Sequence, residues 1–561
     1  MSAIEEIDYQ ALIFPYARAP ELDSRSPATR RIVVVGAGPV GLATAIDLAQ
    51  SGVEVLLLDD DDRLSNGSRA ICFAKRTLEI FDRLGCGEPM VRKGVGWNKG
   101  RIFFGAEQVY DFDLLPEEGH HRPAFINIQQ YYVEGYLFER ARELPNLEMR
   151  WKSRVSAISQ TENEVTLGVE TPDGAYVIHC DYLIAADGAR SFVRKELGHE
   201  SKGQTFHDRF LIADVRMEAD FPAERWFWFD PPFHPNQSVL LHRQSDNVWR
   251  IDFQLGWDAD PVAERQPERV LPRVQALLGR EAKFELVWAS VYTFSCLRMA
   301  SFRDGRVLFA GDCAHGVSPF GARGANSGVQ DAENLTWKLR LVLEGKAPPG
   351  LLDSYGSERE FAADENILNS TRSTDFITPK SAVSRVFRDA TLELARDCEF
   401  ARKLVNSGRL SKPAVLTDSP LNSPDEDAFA GDMVPGASST DAPLVKNGVN
   451  VWLLDQLGND FTLLVFHDAC PASAPTEADI RRLAANAIPV KTLFVVSGGP
   501  ERAAAEGVPV VRDEAGLATA RFDAAAGAVY LLRPDQHVCA RWRGFDAKKV
   551  MAALARATCN A

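Results

Sequence analysis

The segment Arg31-Ile32-Val33-Val34-Val35-Gly36-Ala37-Gly38-Pro39-Val40-Gly41 constrains this chain more than any other stretch. Its β-branched run reads as a buried strand, and the apolar spacing that continues through Leu48 reads as a helix. A second apolar run, Val53 to Leu58, ends in Asp59, 18 residues beyond Gly41. A lone G-x-G-x-x-G is weak evidence. Here strand, loop, helix, strand and acid stand in order, which is the full dinucleotide fingerprint. Gly36 permits the tight turn, Gly38 lets a pyrophosphate approach the backbone, and Gly41 lets helix and strand pack closely. Pro39 and Val40 belong to the same cofactor loop. Asp59 would accept ribose hydroxyls. Asp60 is a second candidate beside it, although the row Asp60-Asp61-Asp62 also fits a solvated turn, and such a row disfavours a 2′-phosphate.

Two later stretches repeat the pattern of a strand that delivers an acid to a loop. Asp181-Tyr182-Leu183-Ile184-Ala185-Ala186-Asp187-Gly188 is followed by a helix opened at Ser191 and carrying Arg194. Taken alone it is an ordinary Asp-Gly turn. Arg306-Val307-Leu308-Phe309-Ala310 leads into Gly311-Asp312, the glycine-rich loop through Gly328, and an amphipathic helical pattern. Such a loop presents bare backbone amides and a helix dipole to whatever lies above it.

Composition sets the outer bounds. The 561 residues suggest two or three domains. A net charge of −15 argues against nucleic acid and anionic membranes as partners. No apolar run of spanning length and no export signal is apparent, so a cytoplasmic protein is expected. The nine cysteines are scattered, with no Cys-x-x-Cys, so neither a metal site nor a disulfide framework is expected.

Residues 1–29 read as an irregular arm. From 201 to 297 the texture is β-rich and aromatic, and Gln244-Ser245-Asp246-Asn247 suggests a hairpin turn. On its second strand Arg250, Asp252 and Gln254 share one face, opposite Trp249, Ile251 and Phe253. Arg250 and Asp252, with Tyr292 as a weaker candidate, are expected to face a cavity; His234, His242 and Arg243 lie in the same region. Residues 386–439 read as a helical segment and then a linker. The tail, 440–561, reads as a small α/β domain.

Together the dinucleotide fingerprint, Asp187-Gly188 with Arg194, and Gly311-Asp312 with its glycine loop resemble the single-component FAD-dependent aromatic hydroxylases. The likeness spans about residues 30 to 380. The tail resembles the thioredoxin-like C-terminal domain of the larger members, here without its Cys-x-x-Cys. Length and layout are nearest to the hydroxyphenylpropionate hydroxylase and phenol hydroxylase branch. The resemblance implies an α/β fold: a Rossmann-like FAD domain of the p-hydroxybenzoate hydroxylase type, interleaved with a β-sheet substrate domain. The FAD domain would take residues 30–200 and 298–385. The substrate domain would take 201–297 with strands from 100–130.

The resemblance also assigns roles. Gly36, Gly38, Gly41 and Asp59 would hold the ADP half of FAD, Arg69 would lie near the pyrophosphate and flavin, and Gln130 would contact the ribityl chain. Asp187 is tied to FAD and NAD(P)H binding, and Asp312 to the ribityl hydroxyls. Pro319 and the loop through Gly324, Ala325 and Asn326 would lie against the isoalloxazine. Two departures stand out. Ala322-Arg323-Gly324 replaces the usual Gly-Gln-Gly, leaving Arg323 without a role, and Ala70-Ile71-Cys72 lacks the acid that phenol hydroxylase carries there.

The implied reaction uses NADH or NADPH to reduce FAD, then O2 to form a flavin C4a-hydroperoxide that hydroxylates a small phenolic aromatic in catabolism, with a hydroxylated aromatic acid favoured. A natural-product tailoring hydroxylase shares every motif, and a flavin dehydrogenase or reductase would use the same fold. Neither the nicotinamide cofactor nor the oligomeric state is readable, and a homodimer is left open.

Overall fold

The computed structural model describes residues 7–561 other than 25, 66–68, 406–409, 411, 467–473, 498–507 and 526. Ser68 and Cys470 therefore lie outside the described residues. The β-branched run of the first motif forms the strand Ala28–Val35, and Ile32 to Val34 are fully buried. It lies parallel to Val55–Leu58 on one side and Gly174–Ala185 on the other. Gly174–Ala185 in turn lies parallel to Val307–Phe309. Near-continuous apolar runs are what a parallel sheet covered on both faces requires.

The register matters for function. Val35 pairs with Ala185, and Ala185 pairs with Phe309. All three motif strands thus end together, and their loops emerge at one sheet edge. Open α/β sheets bind ligands at such carboxyl ends.

A second sheet of eight strands carries the aromatic middle of the chain, in the order His315–Gly316, Glu285–Met299, Ser201–Arg216, Val248–Leu255, Ser238–Arg243, Arg225–Phe229, Lys99–Phe104 and Glu107–Asp113. The expected hairpin turn joins Ser238–Arg243 to Val248–Leu255. One expectation changes. The strand Phe125–Asn127 pairs with Cys72–Ala74 and Val95–Trp97 in a separate small sheet, and does not join the large one. Phe125 stacks on Trp97, with centroids 4.8 Å apart, and this pair anchors the small sheet.

The tail builds a third, seven-stranded sheet, in which Phe461–Phe466 lies between Val490–Val496 and Ala528–Leu532. The segment read as a linker behaves otherwise. Leu416 and Leu421 are buried, Ser423 N donates to Cys539 O, and Gly436 N donates to Val538 O. Its Pro, Ser and Gly content prevents regular structure but leaves enough apolar residues to clamp it along the last strand. Trp337 and Leu341, on the helix Gly324–Leu343, pack in one apolar cluster with Phe461, Leu463 and Leu531 of the tail.

Candidate active site

The three motif loops are in mutual contact, and the glycines are what allow it. A Cβ on Gly36, at φ +104°, would lie 2.4 Å from Ala186 O, and one on Gly41 would lie 1.8 Å from Gly36 O. On the third loop, a Cβ on Gly311 would meet Val40 Cγ2 at 3.0 Å and one on Gly328 would meet it at 2.6 Å. Val40 is therefore the wedge between first and third motifs. Arg194 joins the second to the third, its Nη1 donating to Cys313 O at 2.6 Å. Gly38 differs: nothing lies within 4 Å of its missing Cβ. Its backbone stays bare at the N-terminus of the helix Pro39–Gln50, as an approaching anion requires.

The acids of this edge are held by backbone amides and are short of partners. Asp59 Oδ2 accepts from Ala37 N at 2.5 Å and its Oδ1 from Asp61 N at 2.8 Å. Burial raises its carboxyl, and those amides pull it back. Asp60 is exposed beside it. Asp187 Oδ2 accepts from Val193 N, while its Oδ1 is buried without a hydrogen-bond partner. Asp312 opens into the cleft, yet protein surrounds it closely enough that burial raises its carboxyl, opposed by His315 and Arg69. Bare amides over a helix N-terminus, an acid at the second strand's end and under-satisfied acids beyond fit the pyrophosphate, ribose and polyol that FAD would bring. Gly38, Pro39 and Val40 would face its pyrophosphate, Asp59 a ribose, and Asp312 the polyol.

Gln130 orders the segment that carries Arg69. Its Oε1 accepts from Ala70 N at 3.0 Å, and its Nε2 donates to Ser65 Oγ and to Glu134 Oε1. Arg69 itself is exposed. In the third loop Pro319 is exposed at the start of a tight turn, and Gly324 and Ala325 are half-buried where the helix Gly324–Leu343 begins. Asn326, expected at the flavin, is engaged by protein at both ends of its amide. Its Oδ1 accepts from Ala74 N at 2.8 Å, and its Nδ2 donates to Cys72 O at 2.9 Å and to Ala322 O at 2.6 Å. It clamps the loop to the strand after Arg69. Arg323 finds a place too. It is buried beneath Gly321, where a Cβ would lie 2.5 Å from its Nε, and its Nη1 donates to Asn366 Oδ1. His315, which looks catalytic in isolation, is buried 2.7 Å from Asp331 and stacks on Phe302.

Facing this edge is one side of the aromatic sheet. Asp214 pairs across strands with Arg250, and Arg250 with His242; Ile212 pairs with Asp252, and Asp252 with Leu240. The polar parity read from the sequence is thus a shared face. Its residues differ in commitment. Arg250 makes a two-pronged pair with Asp214, both contacts 2.8 Å, and donates from Nη1 to Arg69 O at 3.1 Å. Gln254 accepts from Ser238 N and donates to Asp208, and His234 Nε2 sits 2.7 Å from Gln254 O. Arg243 stacks over Trp249.

Asp252 is different, because its Oδ1 is buried without a hydrogen-bond partner. Burial pushes its carboxyl up to about 6, against the pull of Arg250 and Arg225. Tyr292 is half-buried, its phenol raised by burial and lowered by Arg250. The sequence reading missed Asp214 and Arg225. Arg225 Nη2 donates to Phe320 O at 2.9 Å, tying the sheet to the loop after Pro319, and the Phe320 ring packs 4.8 Å from Phe210. Within its own strand Arg225 shares its parity with Phe227 and Phe229, and its place beside His242 follows only from the register of two strands eight residues apart.

With this geometry in view, comparison with known proteins is decisive. The FAD binding domain family model matches residues 29–370, and the HcaD C-terminal domain model matches residues 442–557. The chain belongs to this FAD-binding family. Its resemblance to the FAD-dependent aromatic hydroxylases is thereby borne out. A Rhodococcus jostii protein named as a probable NADH-specific resorcinol 4-hydroxylase is 30% identical over 525 residues, 90% of this chain and 91% of that one. A Mycolicibacterium smegmatis 3-(3-hydroxy-phenyl)propionate/3-hydroxycinnamic acid hydroxylase is 27% identical over 534 residues, 91% and 90%. Among solved structures, the flavin-dependent monooxygenase PieE matches with a TM-score of 0.76 at 23% identity, covering 96% of this chain and all of that one. Among the described residues, no helix is long and apolar enough to cross a membrane.

Proposed function

We propose that this protein is an FAD-dependent, NADH-consuming monooxygenase that hydroxylates a small phenolic aromatic in catabolism. The observation that carries this reading is the convergence of all three flavin motifs at one sheet edge, opposite a buried polar face. Likeness to a hydroxylase along nine-tenths of the chain supports it. FAD, when bound, supplies the transfer of electrons from nicotinamide to O2 and of one oxygen atom to the ring.

The chain's own residues then have defined tasks. Gly36, Gly38, Gly41 and Asp59 hold the nucleotide end, and Asp187 and Asp312 hold the middle. Pro319 and the backbone of Gly324 and Ala325 line the reactive end. Arg225 fixes the lid-like sheet to that loop through Phe320 O, and Arg250 fixes it to the segment ordered by Gln130 through Arg69 O. That closure keeps water from the reacting ring. Gln130, Asn326 and Arg323 position the segments that carry these groups. The tail lacks paired cysteines, and its burial against the helix Gly324–Leu343 supports a structural role. Its free cysteines agree with a reducing, cytoplasmic setting.

The test is purification, a flavin spectrum, and NADH and O2 consumption with a panel of phenols, the product being identified by mass. Ring hydroxylation matched to NADH use is expected. Substrate oxidation without oxygen incorporation would instead establish a flavin dehydrogenase.

A further inference from the structure

Resting on the monooxygenase reading, the polar face opposite the flavin edge also bears on which phenol is taken. We propose that Asp252 is the base that accepts the substrate's phenolic proton, and that with His242 it selects an uncharged phenol over an aryl carboxylate.

Three observations carry this. First, Asp252 Oδ1 and His242 Nδ1 are buried on one face and neither has a hydrogen-bond partner. Buried polar atoms are almost always satisfied, so these orphans, with Ser238 Oγ further along the same face, mark a place for an incoming polar group. His242 is 3% exposed, and burial together with Arg225 and Arg250 holds it neutral.

Second, the location is right. Arg225 acts on Asp252 and also grips Phe320 O; Arg250 acts on Asp252 and also grips Arg69 O. Asp252 is therefore flanked by the two side chains that bind the sheet to the flavin edge.

Third, the charges of the face already balance. Arg250 is opposed by Asp214 at 2.8 Å, and Arg225 is opposed by Asp252. Tyr292 on Glu285–Met299 and Cys72 on the neighbouring small sheet are both neutral, raised by burial. Arg69, exposed at the cofactor edge, also acts on Tyr292. A substrate carboxylate would bring an unbalanced charge into a buried site beside another carboxylate, which is costly. A neutral phenol brings none. When its O–H bond breaks and the proton moves to Asp252 Oδ1, the carboxylate becomes neutral and the new phenolate faces Arg225. The net charge of the face is unchanged, and the ring gains the electron density that oxygen transfer needs.

The experiment uses the FAD-loaded enzyme with resorcinol, phenol and 3-(3-hydroxyphenyl)propionate, scored by hydroxylated product per NADH across pH. Expected is a kcat/KM for the best neutral phenol on the order of 100-fold above that for the arylpropionate, rising with pH through about 6 as Asp252 loses its proton. Asp252→Asn should lower kcat/KM for the neutral phenols on the order of 100-fold and remove that acidic limb, with FAD content retained. His242→Gln should raise KM more than it lowers kcat. Equal or better turnover of the arylpropionate overturns the proposal while leaving the monooxygenase reading intact. So does an Asp252→Asn enzyme with the parent's pH profile. Failure of every phenol to yield hydroxylated product overturns both. The substrate panel needs only the parent enzyme, so a poorly folding variant does not blunt the test.

Discussion

At the scale of single residues, the flavin edge is a set of backbone approaches that only glycine permits. Gly36 combines a positive φ with a missing Cβ that would sit 2.4 Å from a carbonyl oxygen, so neither strain nor clash is relieved by a side-chain move. Alanine there costs about 1–2 kcal/mol in conformation before the clash is counted. We expect Gly36→Ala to weaken FAD binding by roughly tenfold or more, since each 1.4 kcal/mol is a factor of about ten. The ratio of flavin to protein absorbance after gel filtration measures it, and full retention of flavin would refute the contact. Gly38→Ala is the informative control: with open space around the missing Cβ, the apoprotein should remain as stable as the parent while flavin affinity falls. The fingerprint was legible because those demands are local. Arg323 was not, since its place beneath Gly321 and against Asn366 depends on a helix some 40 residues further on.

At the scale of elements, strand parity carried much of the substrate face and then fell short. Alternation placed Arg250 and Asp252 together, and the register confirms a common face. Alternation cannot say which of two neighbours already has a partner. Asp214, three strands' worth of sequence earlier, takes Arg250 and leaves Asp252 with an open oxygen. The same limit explains Asn326, whose loop position suggested a ligand while its amide closes a contact to Cys72 and Ala74. This division of labour is testable. Asp214→Asn leaves the Arg250 guanidinium buried without its carboxylate, and removing one partner of a buried pair costs about 3–5 kcal/mol. Urea unfolding should show that loss. The flavin should remain bound, because the Asp214 carboxylate accepts from Gln244 and Arg250 within the sheet, and NADH oxidation should become less coupled to product as Arg250 lets go of Arg69 O. A variant as stable and as coupled as the parent would show that Arg250 does not position the edge.

At the scale of the whole molecule, the tail is joined to the flavin domain by a buried ionic junction as well as by apolar packing. Glu358, on the helix Asp353–Ile377, accepts from Lys338 Nζ at 2.7 Å and from Arg533 Nη1 at 2.6 Å, and Arg533 also pairs with Asp535. Burial alone would raise the Glu358 carboxyl, but Arg533 and Lys338 override it and hold it well below the ordinary range. A carboxylate depressed in the folded state stabilises above its unfolded value. That stability is lost as pH falls below about 4.5, when the unfolded chain begins to take up protons that the junction refuses. Lys338 shows the strain of the site from the other side, its ammonium lowered to about 8 by burial despite Glu358. Glu358→Gln should therefore destabilise by about 3–5 kcal/mol at neutral pH, leaving Lys338 without its carboxylate. The gap between variant and parent should narrow as the buffer is taken below pH 4.5. Trp337 lies in this junction, its Nε1 3.1 Å from Asp535 Oδ2, so its share of the fluorescence, taken as the difference from a Trp337→Phe variant, reports the contact. If the tail merely hangs on the flavin domain, the substitution will leave both the unfolding midpoint and the Trp337 signal where they were. If it is a structural brace, both will shift together, and flavin release will track them, because Lys338 and Trp337 lie on the same helix whose first turn presents Gly324 and Ala325 to the cofactor edge.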